Sequence, residues 1–501
     1  MDFAEFILAH SQDDPVALAL ARSRYASEVA LPDGFAAGTA PFDLALSTLE
    51  VRRKLRTKVP AWYAVPSLVY PLRLSGEQCS SEATARYKAS VALAAASALG
   101  TSHYEKTAPE SYCEVPEDVP LRENGGKFVT PGPELRMADL TGGLGVDSWA
   151  FTQVFADVLY NEMQPALADA ARHNFSVLGC RNVAVRCREL YPGNVTEVLD
   201  GFKPDVIFLD PARRASDGRK VFRLEDCSPD VLQLLPELLD SCPLLLLKLS
   251  PMADISLVCK QLGCVREVHV VAAEGECKEL LLLLEKGYAG HCAITIFEDG
   301  ASLLLDQVQG ESGPGSTECA GPGPGSVEQT PLGCIGRGPG PGDGIEPGPK
   351  TGWTRSRVSG GSPQRRFGGS DLPAEDGGDI GHGVSLFEPG KAMLKAGAFE
   401  LPCQYGLEKL ERHTHLYIGD VPEALKPFGK TFEILETVPL NKRSLKDVAA
   451  RYPQADVTAR NIPLTSEELR KKLGVKDGGP IHIFGTKAVA DNVLIICRVA
   501  Q

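Results

Sequence analysis

Apolar residues change rhythm several times along the chain. Residues 1 to about 128 carry helical spacing. Ser81–Leu99 is alanine-rich, and Pro41-Phe-Asp-Leu-Ala-Leu46 runs into the basic stretch Arg52-Arg-Lys-Leu-Arg56. Such a charge run reads first as a solvated helix face, with RNA contact as the alternative. From 129 to about 290, short apolar runs alternate with helical stretches. They predict strands at Arg136–Leu140, Val158–Asn161, Val183–Arg186, Val206–Asp210, Leu244–Leu249, Glu267–Val271 and Leu280–Leu284. Helices such as Met163–Leu178 and Pro229–Leu239 fit between them. This alternation implies right-handed crossovers and a mostly parallel, Rossmann-like sheet with helices on both faces.

The rhythm then breaks. Of the 74 residues from Gly310 to Gly383, 32 are Gly or Pro. Such a stretch buries too little apolar surface to offset its ordering entropy, which predicts a disordered insertion. It interrupts a small α+β domain over 291–430, with a strand at Ala293–Phe297 before it and a helix start at Lys391–Gly397 after it. Residues 431–501 form a last α/β unit. Its expected helices are Ser444–Tyr452 and one opened by the capping box Thr465-Ser-Glu-Glu468, and its expected strands are Ile481–Phe484 and Val493–Arg498.

Bulk properties narrow the classes. The net charge of −13 argues against a chain that coats nucleic acid indiscriminately. The last unit departs from that balance, with 11 Lys/Arg against 8 Asp/Glu. The 14 cysteines form no Cys-x-x-Cys and several sit in apolar runs, so they read as reduced structural thiols. His413 and His415 have no third ligand spaced nearby, and no metal is expected. Without a basic leader or a long apolar run, a cytoplasmic location is expected.

The chemistry concentrates in Asp139-Leu-Thr-Gly-Gly-Leu-Gly-Val-Asp147, between a predicted strand and a predicted helix. Gly143 and Gly145 allow a tight turn and close backbone approach to a ligand. The helix beyond offers free amides to a carboxylate, and Asp139 is placed to accept from an ammonium. Glu162 ends the next strand, where an acid takes both ribose hydroxyls. Asp210-Pro-Ala-Arg-Arg214 ends the predicted fourth strand, off which the crevice of an open α/β sheet lies. There Asp210 is placed to accept from the reacting atom, Pro211 stiffens the turn, and Arg213 and Arg214 suit a phosphate or carboxylate. Glu189, after the third strand, is a candidate for an adenine pocket. Lys248 reads chiefly as a snorkelling surface lysine at the end of a leucine-rich strand.

These residues resemble the first motif of class I S-adenosylmethionine-dependent methyltransferases. Together with Leu209-Asp-Pro-Ala-Arg-Arg214, Lys248-Leu-Ser-Pro-Met252, Glu388–Phe399 and Thr414-His-Leu-Tyr-Ile418, the run resembles a bacterial methyltransferase family with a THUMP-like C-terminal domain. The resemblance implies S-adenosylmethionine as cofactor, held by Asp139, Thr141, Gly143, Gly145, Asp147, Glu162 and Glu189. Asp210, Pro211 and Arg213 would form the catalytic end. It also implies a ferredoxin-like small domain and a structured RNA substrate (tRNA or rRNA), with Lys442, Arg443, Arg460 and Lys487 as candidate RNA contacts. Thr141 stands where the generic motif has glycine. Asp210-Pro-Ala-Arg lacks the aromatic of amino-group methyltransferases, and Ser250 stands where uridine C5 enzymes carry cysteine. Direct transfer without a covalent cysteine intermediate is therefore expected.

Three other readings remain: a nicotinamide-dependent oxidoreductase, an RNA-binding protein on a non-catalytic fold, and a methyltransferase of proteins or small molecules. The first lacks the Gly-x-Gly-x-x-Gly form, because its third glycine falls on Ser148.

Overall fold

The structure, a computed structural model, describes residues 1–32, 34–35, 39–101, 135–213, 224–305, 384–488 and 491–500. The Gly/Pro-rich segment 310–383 and Arg214 lie outside the described residues.

The middle of the chain builds nine strands: β1 (Arg136–Asp139), β2 (Asp157–Asn161), β3 (Val183–Arg186), β4 (Val206–Leu209), β5 (Leu244–Leu249), β6 (Val265–Ala273), β7 (Glu276–Glu285), β8 (Ala293–Glu298) and β9 (Ala301–Leu305). They form one sheet in the order β9-β8-β6-β7-β5-β4-β1-β2-β3. Strands β1 to β5 pair parallel, whereas β7 runs antiparallel between β5 and β6. A dinucleotide-binding sheet is parallel in the order 3-2-1-4-5-6. The reversed seventh strand separates this fold from that class and weakens the oxidoreductase reading.

The central strands of the sheet are buried on both faces, which is why β4, β5 and β7 read as continuous apolar runs rather than alternating ones. Met137, Tyr160, Phe208, Leu246 and Leu281 face a core shared with the N-terminal helices α1 (Pro41–Lys58) and α2 (Glu82–Thr101). Ala138, Leu159, Ile207, Leu247 and Leu282 face the opposite core. Helix α2 and the second half of α1 are therefore continuous with the sheet in packing, whereas Phe42, Leu46 and Leu49 of α1 pack in a separate cluster with Phe3, Phe6 and Leu18. The buried Asn174 side chain clamps the N-terminal region to the middle of the chain, accepting from Val69 N at 2.8 Å and donating to Val69 O at 2.9 Å. Helix α3 (Val146–Thr152) follows β1 and α4 (Pro165–Val177) follows β2, the latter opened by a proline in its first turn.

One expected boundary moves. Strands β8 and β9 extend the first sheet, β8 pairing parallel with β6, so the stretch from 291 does not open a separate small domain. The second sheet begins at β10 (Ser385–Pro389) and continues through β11 (Glu408–Glu411), β12 (Thr414–Gly419), β13 (Gly429–Pro439), β14 (Asp456–Arg460), β15 (Ile481–Ala488) and β16 (Asp491–Val499). Its order is β11-β12-β10-β13-β16-β15-β14. The two C-terminal units thus share one seven-stranded sheet. Asn461 Nδ2 donates to Glu411 Oε2 at 2.8 Å and to Thr414 Oγ1 at 3.1 Å. These bonds join the region beyond one edge strand to the other edge, so the sheet curls. The capping box at Thr465 forms as expected. Among the described residues, no helix is long and apolar enough to cross a membrane.

Candidate active site

Strand order reverses between β1 and β4, and the turns leaving both strands open into the same crevice, where ligands of open α/β sheets bind. A cavity of about 740 Å³ lies there. One wall is the glycine turn after β1 with Glu162. A second carries Asp210, Pro211, Lys248 and Ser250, and a third is the segment Leu72–Ser80 from the N-terminal region.

The glycine turn is built by close approach. A Cβ on Gly142 would stand 2.1 Å from Tyr160 Cε2. Gly143 and Gly145 have φ of 54° and 93°, a region costly to residues with a Cβ. Tyr160 Oη donates to Gly143 O at 2.6 Å, and Gly143 N donates to Glu162 Oε2 at 2.9 Å. Glu162 Oε1 also accepts from Gln164 N at 2.9 Å. The acid after β2 therefore holds the turn and also lines the cavity.

Asp139 corrects an expectation. It is 1% exposed and absent from the cavity wall. Its oxygens accept from Ser148 Oγ at 2.6 Å and Thr141 N at 3.1 Å, so it supports the turn from below instead of meeting a ligand directly. Burial pushes its carboxyl up to about 8, with the Ser148 hydroxyl pulling it back. A carboxyl raised in the folded state keeps its proton where the unfolded chain has lost it. Stability from this group is thus full in the acid range and falls as pH rises toward 8. Asp139→Asn removes that slope, so its urea midpoint is expected to decline less than that of the unaltered protein between about pH 5 and pH 8.

Thr141, the departure from the generic motif, has a structural job. Its Oγ1 accepts from Asp210 N at 2.7 Å, which fastens the turn after β1 to the end of β4. Thr141→Val leaves that amide unpaired, with an expected stability loss of about 1–3 kcal/mol in denaturant titration, whereas Thr141→Ser retains most of it.

Lys248 also differs from its expectation as a surface residue. Its side chain is only 16% exposed, and Nζ lies 2.5 Å from Asp210 Oδ2. Burial alone would lower its pKa, but Asp210, Glu279 and Asp147 outweigh that and raise it, so the ammonium stays charged. Asp147 reaches the cavity wall but is bound by Lys88 Nζ at 2.9 Å and Ser80 Oγ at 2.8 Å. Glu189 is exposed on the cavity rim, and Pro211 lines the wall. The backbone of Arg213 pairs with Cys227 in a two-residue ladder beside the site. Lys88, Ser80 and Glu279 were not legible as site residues, because their sequence neighbours carry no motif.

In the C-terminal unit, Lys442 and Arg443 open helix α5 (Lys442–Arg451), capped by Asn441. Arg460 ends β14 beside Thr486, and Lys487 sits opposite Asn492, whose carbonyl accepts from Leu440 N at 2.8 Å. Register thus brings all four to one end of the sheet. Arg443 is 93% exposed, while Arg460 donates to Glu388 at 2.8 Å.

Residues 386–424 match a family model described as a ferredoxin-like domain, and residues 429–499 one described as THUMP domain-like. The chain is similar to a solved structure from Porphyromonas gingivalis W83 described as a "putative methyltransferase", with 26% identity, a TM-score of 0.66, and coverage of 100% of this chain and 98% of that one. A methyltransferase subunit of a type I restriction-modification system from Streptococcus thermophilus matches at 12% identity and TM-score 0.25, over 33% of this chain and 42% of that one. An rRNA methylase from the same species matches at 14% identity and TM-score 0.23, over 30% of this chain and 87% of that one. No curated protein sequence matches the chain. With ferredoxin-like and THUMP-like units in tandem behind the nine-stranded sheet, the chain has the architecture of the methyltransferase-fold family with a THUMP-like C-terminal domain that its sequence resembles.

Proposed function

We propose that the chain is an S-adenosylmethionine-dependent methyltransferase that modifies a structured RNA, tRNA or rRNA, by direct transfer. The observation that carries this reading is the meeting of the glycine turn, Glu162 and the Asp210–Lys248 pair in one cavity at the switch point of the sheet. The cavity's size, about 740 Å³, suits a nucleoside cofactor and part of a substrate. Its fit is local as well: Gly142 and Gly143 bare the backbone, and Glu162 offers acceptors beside it. Thr141, Gly143, Gly145 and Glu162 would hold the cofactor, with Glu189 toward the adenine and Asp139 supporting from below. Bound there, S-adenosylmethionine would supply a methyl group made electrophilic by its sulfonium sulfur.

The chain's own residues provide alignment and proton handling. Asp210, paired with Lys248, accepts from the nucleophilic atom and orients it, while Pro211 and the Thr141 bond hold the strand end still. Cys79 is the one cysteine among the described residues lining the cavity, and burial pushes its thiol up, which suits a protonated bystander and not a nucleophile. Support for RNA comes from the THUMP domain-like match and the cations gathered at one end of its sheet.

Purified protein given tritiated S-adenosylmethionine and total RNA from a strain lacking the protein is expected to label RNA, with a methylated nucleoside found by mass spectrometry. Label confined to protein or small molecules, or tight NAD binding without S-adenosylmethionine binding, defeats the proposal. Lys442→Glu with Arg443→Glu is expected to weaken RNA binding across sequences and to reduce the slope of log affinity against log salt by about one per cation removed. An unchanged slope would remove these two residues from the interface.

A further inference from the structure

Beneath the cavity, charged side chains meet from segments far apart in sequence. Lys88 on α2 is 0% exposed in its side chain, and its ammonium reaches Ser80 Oγ at 2.6 Å, Asp147 Oδ1 at 2.9 Å and Glu279 Oε1 at 3.1 Å. Glu279 lies on β7, the antiparallel strand next to β5, where Lys248 pairs in register with Leu281. Three carboxylates, Asp147, Asp210 and Glu279, thus share two ammonium groups, Lys88 and Lys248.

The third carboxylate is underserved. Glu279 is 3% exposed, and its Oε1 makes no hydrogen bond of good geometry, although the Lys88 ammonium is close enough for an ion pair. A buried carboxylate without a cation is costly, and burial raises the Glu279 carboxyl while first Lys88 and then Lys248 pull it back down. Lys248 is its diagonal neighbour on the sheet: it pairs in register with Leu281, two residues along β7 from Glu279 on the same face, and Glu279 is second only to Asp210 among the carboxylates that hold it protonated. Occupation of Glu279 by Lys88 removes the competitor for Lys248.

We infer that Lys88 is a positioning residue through which the N-terminal helical region completes the active site: by neutralising Glu279 and Asp147, it leaves Lys248 paired with Asp210. Lys88 does not line the cavity, so it acts only through its neighbours. The kinetic consequence rests on the proposed methyl transfer; the placement of Lys248 does not.

The test pairs a structural readout with a kinetic one. In a crystal structure of Lys88→Met, Lys248 is expected to have left Asp210 for Glu279. Single-turnover methyl transfer to RNA is expected to fall about 10²-fold with S-adenosylmethionine affinity within about 3-fold, as misplacement of a reacting group by an ångström does. Adding Glu279→Gln removes the competing anion, and the double variant is expected to recover at least about 10-fold of the loss with Lys248 back on Asp210. A merely structural lysine predicts no such recovery. If Lys88→Met does not fold, Lys88→Gln, which keeps a hydrogen-bond donor but carries no charge, replaces it with the same expectations. Lys248 remaining on Asp210 in the folded single variant overturns the inference, whatever the activity. Migration of Lys248 in a protein that transfers no methyl group even when unaltered upholds the inference and defeats the proposed function instead.

Discussion

Asp210→Asn is expected to lower methyl transfer by about 10²–10⁴-fold, the range of a lost acid–base group, with S-adenosylmethionine affinity within about 3-fold. Asparagine has nearly the shape of aspartate, and the backbone bond from residue 210 to Thr141 survives. What is lost is the negative charge at the end of β4. An amide oxygen accepts a hydrogen bond weakly compared with a carboxylate, so the nucleophile is neither oriented nor relieved of its proton as well. The Lys248 ammonium, 2.5 Å from Asp210 Oδ2, also loses its anion. The glycine turn and Glu162 are untouched, so the effect should appear in kcat more than in cofactor binding. Isothermal titration and single-turnover kinetics on the same preparation separate the two. Weakened cofactor binding with an unchanged rate would place Asp210 in the binding wall and leave the transfer without its acceptor.

The parts of this site legible in sequence are those carried by local pattern. Strand β5 occupies Leu244–Leu249 as expected, because a strand buried on both faces must be apolar throughout. The turn after β1 and the acids at 162 and 210 stand at strand ends, where periodicity alone places them. Contacts made in three dimensions were beyond such reading. Lys88 in an alanine-rich helix looks like any solvated lysine until Asp147 and Glu279 are brought against it. Lys248 closes a leucine run, a context in which a surface lysine is the commoner outcome, and only pairing of β4 with β5 sets it beside Asp210. Residues 293–298 form the expected strand, yet it joins the first sheet, because an apolar run specifies a strand but not its neighbour. Thr141, which stands where the generic motif has glycine, is a fastening between two strand ends.

Gly142→Ala is expected to damage the site more than Gly143→Ala, although Gly143 is the residue with positive φ. At position 143 a Cβ meets only Thr141 O at 3.9 Å, so the cost is the left-handed backbone, about 1–2 kcal/mol. At position 142 it collides with the Tyr160 ring at 2.1, 2.4 and 2.6 Å. That ring has little room to yield. It is 0% exposed, packs edge-on against Phe175 at 5.5 Å, and is held at its far end by its bond to Gly143 O. The turn must shift instead, straining Gly142 N to Asn161 O at 2.8 Å and Gly145 N to Gly142 O at 2.9 Å. Overpacking of this kind costs about 1–3 kcal/mol, sometimes more. The same shift withdraws Gly143 N from Glu162, so S-adenosylmethionine affinity should fall at least about tenfold, 1.4 kcal/mol. Tyr160→Leu combined with Gly142→Ala frees the space and should return part of the affinity despite losing the hydroxyl. Thermal unfolding and titration calorimetry on the two glycine variants decide the matter: affinity in Gly142→Ala equal to that of the unaltered protein would mean that this turn does not form the cofactor's wall.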